Sequence, residues 1–486
     1  MRQTRVKRVG AVLVGLTLTA AACGSDDEAT TDDPATADTE AMTADTAMTE
    51  DTAMTEDTAM TADTAMTEDT AMTDGTAMTD GTAMTEDTTA GTGTSTGGDT
   101  TGQLVLGGIL PETGNLAFLG PPEIAGVNLA VEEINAAGGV LGQDLLYLPG
   151  DSGDNGEVAN ATVDRLLAED VDGFIGAASS SVSLTVIDKI TQAGKIHFSP
   201  ANTSPTFTDY DDNDLYFRTA PSDTVQGAAL GDLLISDGNA SATFLVLNDA
   251  YGTGLLEFTG GPFESQGGVI DEEIIYDPNA DNFDDVVAQA VEANSDAIVI
   301  IGFDETSSIL TGLIENGAGP ADVNIYGTDG NMGNALAGAF DDPSVLAGMR
   351  GTLPGVDVEG ELADFQDRLL EIDPALEDYS YAAESYDAVV ITALAAIAAQ
   401  SDDGTEVGAQ INDVTRGGET CTSFEDCAAL LESDPSADID YDGVSGPLEF
   451  CDPGEPSQAS ILILEFDEEG VLGVEGSVEG SAPCDA

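Results

Sequence analysis

The chain has 486 residues and carries 92 acidic side chains against 11 basic ones, so its formal net charge is −81. A polyanion of this size repels nucleic acid and anionic membrane surfaces, which excludes binding to either as its function. One histidine, five cysteines and no tryptophan offer little for catalysis or for metal sites built from nitrogen and sulfur ligands. A hydrophobic fraction of 41% still allows folded cores, and the length suggests more than one domain.

The N-terminus is typical of an exported protein. Four basic residues lie within the first eight positions, and an apolar run follows from Val9 to Ala22. The run is shorter than the roughly 20 residues that span a bilayer, so residues 1–22 are predicted to be a signal peptide. Ala20-Ala21-Ala22-Cys23 before an acidic stretch resembles the bacterial lipobox, which implies a lipid on Cys23. Ordinary signal cleavage beside a stray cysteine is the alternative.

Residues 23–102 differ in composition from everything after them. Positions 24–102 hold 20 acidic residues and no Lys or Arg, and a hexamer such as AMTEDT repeats eight times from Ala41 to Thr88. A six-residue period fits neither a helix nor a heptad, and branched or aromatic side chains are scarce. We expect a disordered acidic tether. Glycosylation of its threonines and metal binding by its methionines are the alternatives to a plain spacer.

From residue 103 onward, short apolar runs alternate with amphipathic stretches of 12 to 16 residues. The predicted strands are 103–110, 145–148, 173–176, 196–198, 242–247, 269–276, 296–301, 323–326, 446–450 and 460–466. The predicted helices are 122–137, 157–169, 181–193, 222–236, 253–266, 282–294, 306–317, 360–371 and 380–399. This alternation indicates βαβ units with parallel sheets, and the uniformly apolar strands indicate sheets covered on both faces.

Three strand exits carry residues suited to binding. The strand 173–176 leads into the serine-rich segment 177–183, and the strand 196–198 leads into 199–205. The strand 323–326 leads into 327–331, which contains Asp329. Ligands of open parallel sheets sit at the carboxyl ends of strands, often at helix N-termini. Hydroxyls and free amides suit a carboxylate and Asp329 suits an ammonium, so the set predicts a zwitterionic ligand.

Six segments together resemble the type I periplasmic-binding-protein family, in its Leu/Ile/Val branch of ABC-transporter receptors. In chain order they are GGILPETGNLAFLG, AVEEINAAGGVLG, GAASSSVS, HFSPANTSPTFTD, LNDAYGTG and IYGTDG. The resemblance covers about residues 103–466. It implies an α/β fold of two Rossmann-like lobes with parallel sheets, joined by a three-strand hinge that closes over an amino acid. It places lobe 1 at 103–221 and 356–449, and lobe 2 at 222–355 and 450–486.

The resemblance also assigns ligand contacts. It implies that Ser180 binds the ligand carboxylate, that Thr203 and the Ala201 carbonyl contact the ligand, and that Asp329 binds the ammonium. The remaining contacts are Tyr251, Phe303 as an aromatic wall, and either Phe118 or Leu119 in the first lobe. Asp329 is one methylene shorter than the family's usual Glu, and Phe303 lacks a hydroxyl. The alternatives are a helix cap for Ser180, a loop brace for Thr203, surface packing for Tyr251, core packing for Phe303 and a turn for Asp329.

The sequence gives only weak support for a calcium site, a dinucleotide site or a catalytic histidine. Residues 438–449 fit the calcium-loop formula of an EF-hand, but Gly446 and Pro447 stand where the exiting helix should begin. The glycines after Tyr251 resemble a dinucleotide loop without its third glycine. His197 lies within a predicted strand and has no partnered nucleophile. We therefore expect no metal, no cofactor and no catalysis.

The remaining cysteines point to an oxidising compartment. Without Cys23 there are four, which predicts two disulfides in an exported protein, and three pairings are possible. The preferred pairing joins Cys421 to Cys427 and Cys451 to Cys484.

The expected function is that of a monomeric receptor, lipid-anchored on the outer face of the cytoplasmic membrane. It would deliver a branched-chain or related amino acid to the permease and ATPase of an ABC importer. A sensory module, or binding of an amide or another small solute, is the alternative. The chain shows no transmembrane signalling segment, which counts against a sensor. The 72 acidic residues after position 102, against 7 basic ones, lead us to expect stabilisation by salt.

Overall fold

The computed structural model describes residues 102–360, 362–446 and 448–482. The predicted signal peptide (1–22), Cys23, nearly all of the predicted tether and Cys484 lie outside these ranges. The helices of the described part are α1 (Gly120–Ala137), α2 (Gly156–Ala168), α3 (Ser180–Gln192), α4 (Asp223–Ser236), α5 (Ala250–Ser265), α6 (Asp284–Ala293), α7 (Thr306–Glu315), α8 (Asn334–Gly338), α9 (Ala363–Ile372), α10 (Ala382–Ala399), α11 (Gly404–Ile411) and α12 (Phe424–Ser433). The strands are β1 (Val105–Ile109), β2 (Leu146–Leu148), β3 (Gly173–Gly176), β4 (Ile196–Ser199), β5 (Tyr216–Arg218), β6 (Ser241–Leu247), β7 (Val269–Tyr276), β8 (Ala297–Ile301), β9 (Asn324–Gly327), β10 (Arg350–Pro354), β11 (Glu419–Cys421), β12 (Ile439–Tyr441), β13 (Gln458–Phe466) and β14 (Leu472–Ser481).

The first large sheet is entirely parallel, in the order β2-β1-β3-β4-β5. Both of its faces are covered by helices. In β3, Phe174 packs with α2 and α3, whereas its neighbour Ile175 packs with α1 and α10 on the opposite face. Successive side chains of a strand point to opposite faces, so a doubly covered strand has no polar positions. We call this sheet and its helices the first lobe.

The second large sheet has the order β14-β13-β10-β9-β8-β6-β7. Its strands β6 to β10 pair in parallel, and β13 runs antiparallel to both β10 and β14. One apolar cluster, which includes Phe244, Val299 and Ile325, fills the space between this sheet and its helices. We call this sheet and its helices α4 to α7 the second lobe. The predicted fold class, two lobes with parallel-dominated sheets, is confirmed.

The chain passes between the two sheets three times. It leaves the first after Arg218, leaves the second after Pro354, and returns to the second at Gln458. Between the last two crossings, α9 to α12 pack on the first lobe, chiefly through α10 against α1. The Arg218 guanidinium forms a buried ion pair with Glu455, which ties the first crossing to the third. The domain limits proposed at 221/222, 355/356 and 449/450 stay a prediction.

One predicted strand is wrong. Among the described residues of the segment 446–450, the only strand-like pairings are isolated bridges, from Gly446 to Gly443 and from Phe450 to Pro456. The backbone turns there, because Gly446 and Glu449 both have positive φ angles, which interrupt an extended strand. The preceding loop wraps around the buried Asp387 carboxylate, which accepts hydrogen bonds from the Tyr441 hydroxyl (2.7 Å) and the Ser445 amide (2.7 Å). The loop is therefore held by a carboxylate of α10.

Helix α10 is long and apolar enough to cross a membrane by length and composition, but most of it is buried in the first lobe as a core helix.

Cys421 and Cys427 form the predicted disulfide, which joins the end of β11 to α12. Cys451 is also disulfide-bonded. Its pairing with Cys484 stays a prediction, since Cys484 lies outside the described residues.

Candidate functional site

A cavity lies between the lobes, at the carboxyl ends of β3, β4 and β9. Its lining includes seven of the eight residues assigned from sequence: Leu119, Ser180, Ala201, Thr203, Tyr251, Phe303 and Asp329. The others in the lining are Leu116, Ala178, Ser179, Gly330 and Tyr381. Phe118 instead faces an adjoining groove at the cleft mouth, which it shares with Phe303. The structure thus brings residues from three distant strand exits into one enclosed space.

The first-lobe face of the cavity presents hydrogen-bond donors. Helix α3 begins at Ser180, and its N-cap is Ser179, whose side chain accepts from the Val182 amide. The cap alternative for Ser180 is therefore wrong, and its hydroxyl oxygen accepts from the Ser204 amide (3.3 Å). Within the described ranges, the amides of Ser180 and Thr203 donate to no other group. Free amides at a helix N-terminus favour an anion, so this face suits a carboxylate.

A buried polar network fixes this face. The Asn202 amide nitrogen donates to the carbonyls of Ala177 (3.0 Å) and Ala178 (2.7 Å), which ties the exit of β4 to the exit of β3. The fully buried Arg218 donates to the Ser204 carbonyl (2.8 Å) and to Glu455 (2.9 Å). The donors are therefore held in place before any ligand arrives, which lowers the ordering cost of binding.

The second-lobe face is built around Asp329. One carboxylate oxygen accepts from the Gln226 amide (2.9 Å) and the Tyr251 hydroxyl (2.7 Å), and the other accepts from the Tyr381 hydroxyl (2.8 Å). Asn331 fixes the loop by accepting from the Thr328 amide (2.8 Å). Asp329 is only 5% exposed, and burial raises its pKa. No basic side chain lines the cavity within the described part.

Asp223, which sequence reasoning missed, deepens this negative site. It opens helix α4 and is fully buried. Burial raises the pKa of Asp223 well above its usual value and the Asp329 charge raises it further, while the Thr203 side chain and the Arg218 charge lower it only in part. Because Arg218 is already paired with Glu455, two neighbouring buried carboxylates favour a ligand that brings a further cation. An ammonium group fits this need.

Apolar side chains complete the cavity. The rings of Tyr251 and Phe303 are stacked with their centroids 5.6 Å apart, and both are buried. Leu116 and Leu119 line the first-lobe side. Tyr251 is therefore no surface residue, and Phe303 serves both the core and the cavity wall. The walls suit an aliphatic or aromatic ligand side chain.

Direct contacts hold the lobes together across the cleft. The Ser181 hydroxyl of the first lobe donates to Asp249 of the second (2.9 Å), and the Ser204 hydroxyl donates to the Ala250 carbonyl (2.9 Å). Asp154 lies near the same contacts between the lobes. Burial raises its pKa to about 7, the Ser179 and Asn115 hydrogen bonds lower it, and the charges of Asp249 and Glu305 raise it further. Ionised Asp154 therefore opposes closure.

His197 takes no part in the site. It is fully buried in β4, its ring packs edge-on against Tyr216, and burial lowers its pKa to about 3. The ring is therefore neutral near physiological pH, which fits a structural role.

The chain matches known proteins over most of its folded part. A family model described as periplasmic binding protein matches residues 103–420. The chemotactic signal transduction system substrate-binding protein BasB of Halobacterium salinarum is 24% identical over 382 residues, covering 76% of this chain and 88% of that protein. Leu/Ile/Val-binding protein homolog 2 of Brucella abortus is 25% identical over 378 residues, covering 76% and 92%.

Solved structures show the same fold. The branched-chain amino acid transporter substrate-binding protein LivJ of Streptococcus pneumoniae, solved in complex with isoleucine, superposes with a TM-score of 0.64 at 20% identity. It covers 78% of this chain and 100% of that chain. The family match extends over more than half of the chain and coincides with the two-lobed fold and its interlobe cavity. The chain therefore belongs to the periplasmic binding protein family, whose members bind ligands outside the cytoplasm.

Proposed function

We propose that the protein is an extracytoplasmic receptor of an ABC importer, which binds an amino acid of the branched-chain type and delivers it to the permease. One observation carries this proposal: free amides of the first lobe face the buried carboxylate of Asp329 in a single cavity. A free amino acid is a zwitterion that pairs with both faces at once. The apolar walls accommodate an aliphatic side chain.

In this proposal the ligand acts by stabilising the closed arrangement of the lobes. Its carboxylate accepts hydrogen bonds from the amides of Ser180 and Thr203, and from the Ser180 hydroxyl beside them. Its ammonium group donates to Asp329 and to the Ala201 carbonyl, and its positive charge offsets the repulsion between Asp329 and Asp223. A ligand can shift the equilibrium toward closure only by the difference in its affinity for the two states. Since each ligand end needs a different lobe, that difference is large. No chemical step is assigned to the protein.

The ligand class is tested by calorimetry with a panel of amino acids, their amides and unrelated small acids. We expect saturable one-to-one binding of leucine, isoleucine or valine. Tighter binding of an amide or of an acid without an amino group, with no binding of any free amino acid, would contradict the proposal. The test does not depend on identifying the permease.

The anchor is a separate part of the proposal. Cys23 follows three alanines at the end of the predicted signal peptide, so we propose that it carries the lipid that holds the protein at the outer face of the membrane. A Cys23→Ser variant is expected in the medium rather than in the membrane fraction. Continued membrane retention of that variant would contradict lipidation at this residue.

A second candidate function has specific support. BasB, with 24% identity, bears the name of a substrate-binding protein of a chemotactic signalling system. The same amino-acid site would then report to a receptor rather than to a permease. Deletion of the gene separates the two: loss of uptake of labelled amino acid supports the importer, whereas normal uptake with loss of chemotaxis supports the sensor.

A further inference from the structure

A second cavity lies at the hinge, beside the ligand cleft. We call it the hinge cavity. It lies between the crossing segment 354–359, residues 377–384 before and within α10, and the strands β13 and β14. Tyr381 lines both cavities. The hinge cavity is the larger of the two.

The lining of the hinge cavity combines an apolar floor with acidic groups. Leu353, Leu462 and Leu464 form much of the floor. Five carboxylates belong to the lining, and no basic side chain of the described residues does: the acids are Asp357, Glu359, Glu377, Asp378 and Glu384. An apolar body with a positive group complements such a lining, because the body covers the floor and the charge meets the carboxylates.

Glu384 distinguishes this cavity from an ordinary acidic surface. Its side chain lines the cavity although the residue is only 3% exposed. Apart from its own backbone amide, no group in the described ranges donates a hydrogen bond to its carboxylate. By contrast, Asp378 in the same lining accepts from the Ser380 hydroxyl (2.6 Å) and the Asn334 amide (3.1 Å). Glu384 is thus a buried acid whose carboxylate receives no hydrogen bond from another described residue.

A second buried acid lies close to Glu384. Glu123 of α1 is fully buried and both of its carboxylate oxygens lack a hydrogen-bond partner among the described residues. Burial, and then the charge of Glu384, raise the pKa of Glu123 well above its usual value. Burial also raises the pKa of Glu384, to about 8. Two neighbouring carboxyls without a cation cost free energy when ionised, and a bound cation would offset that cost.

We propose that the hinge cavity is a second ligand site, which binds an organic ammonium ion carrying an apolar group, with Glu384 as its counter-ion. A metal ion fits less well. The described residues contain no group of three or more metal-ligating side chains, and three leucines cover the floor where a hydrated ion would need oxygen ligands. This site is separate from the amino-acid cleft, although Tyr381 lines both.

The test is calorimetric titration of the mature protein at pH 8.5 with phenethylammonium and, separately, with the neutral analogue 2-phenylethanol. We expect one-to-one binding of the cation, about tenfold or more tighter than the alcohol, since an interaction with a buried carboxylate exceeds 1.4 kcal/mol. Glu384→Gln should weaken binding of the cation about tenfold and leave the affinity for the alcohol unchanged. Asp329→Asn should leave both unchanged, because it removes the charge of the other cavity while keeping an acceptor for the Tyr381 hydroxyl, which lines both cavities.

A second variant keeps the proposal testable if Glu384→Gln fails to fold. Val474 lies on β14, is 41% exposed and lines the cavity, so Val474→Trp should obstruct it without disturbing the core. Val478, on the same strand and 44% exposed, lies outside the lining and provides the matched control Val478→Trp. No saturable binding, equal binding of the alcohol, or binding lost in Asp329→Asn but kept in Glu384→Gln would each overturn the proposal.

Discussion

The two faces of the ligand cleft are chemically opposite. The first-lobe face ends in the start of a helix, with the amides of Ser180 and Thr203 free to donate. The second-lobe face ends in Asp329, with a second buried carboxylate, Asp223, behind it. A ligand with both charges satisfies both faces, whereas a ligand with one charge leaves a buried group unpaired. We therefore expect the polarity of the cleft to select for a zwitterion before the side-chain walls select among amino acids.

The largest effect is expected from removing the second-lobe charge. Asp329→Ala should weaken amino-acid binding about 30-fold or more, since truncating one partner of a buried charge pair costs about 2 to 5 kcal/mol. The unliganded variant should melt no lower than the parent, because the repulsion on Asp223 is relieved. Calorimetry and thermal denaturation measure the two quantities. Asp304→Ala, an exposed acid at the cleft mouth, is the control and should bind normally.

A smaller effect is expected on the first-lobe face. Ser180→Ala should weaken binding about 5- to 15-fold, because one hydroxyl contact to the carboxylate is lost while the amides remain. Thr185→Ala, on the same helix but away from the cavity, is the control. Unchanged affinity in Ser180→Ala would mean that the carboxylate does not sit at the start of α3.

Closure of the cleft should depend on pH through Asp154. Its pKa is raised to about 7 in the closed arrangement, so the closed form takes up a proton. The resulting stabilisation is full only below the ordinary pKa of an aspartate and is lost as the pH rises from there to about 7. Between pH 6 and pH 8, the affinity of the parent should therefore fall about tenfold relative to that of Asp154→Asn, with most of the loss between pH 6 and pH 7. Parallel pH profiles of the two proteins would contradict this role.

The smallest effect on binding is expected from salt. Most acidic residues of the folded part lie outside the cleft, and salt screens exposed charges far more than buried ones. Raising NaCl from about 0.1 to about 2 M should raise the melting temperature by several degrees while changing the affinity less than about threefold. A constant melting temperature would refute the expected salt stabilisation. A tenfold loss of affinity would show that the cleft carboxylates are not shielded.

Whether a site residue could be predicted from the sequence depends on how close it lies to a recognisable strand. Ser180, Thr203 and Asp329 follow apolar strands within a few positions, and parallel strands end at one edge, so their meeting could be predicted. Asp223 and Tyr381 lie at helix starts next to the lobe crossings. Their burial in the cleft depends on how the two lobes pack, which no local pattern records.

The same contrast holds for the fold. Most elements from β1 to β9 were predictable, because they show a clear helical or strand period, but the short strand β5 was not predicted. The segment 446–450 was not predictable, since its apolar residues resemble a strand while the positive φ angles of Gly446 and Glu449 turn the chain. Phe118 and Leu119 are neighbours just before α1, so the sequence alone did not decide which of them faces the ligand. The structure places Leu119 in the cavity and Phe118 at the mouth.

The most direct test of the opposed faces is calorimetric titration of the unmodified protein with leucine, isoamylamine and 4-methylpentanoate. The three compounds share the aliphatic group, but the amine lacks the carboxylate and the acid lacks the ammonium. The opposed faces predict that leucine binds at least about 30-fold tighter than either analogue, because each analogue leaves one buried face unpaired. Binding of either analogue as tightly as leucine would contradict the account.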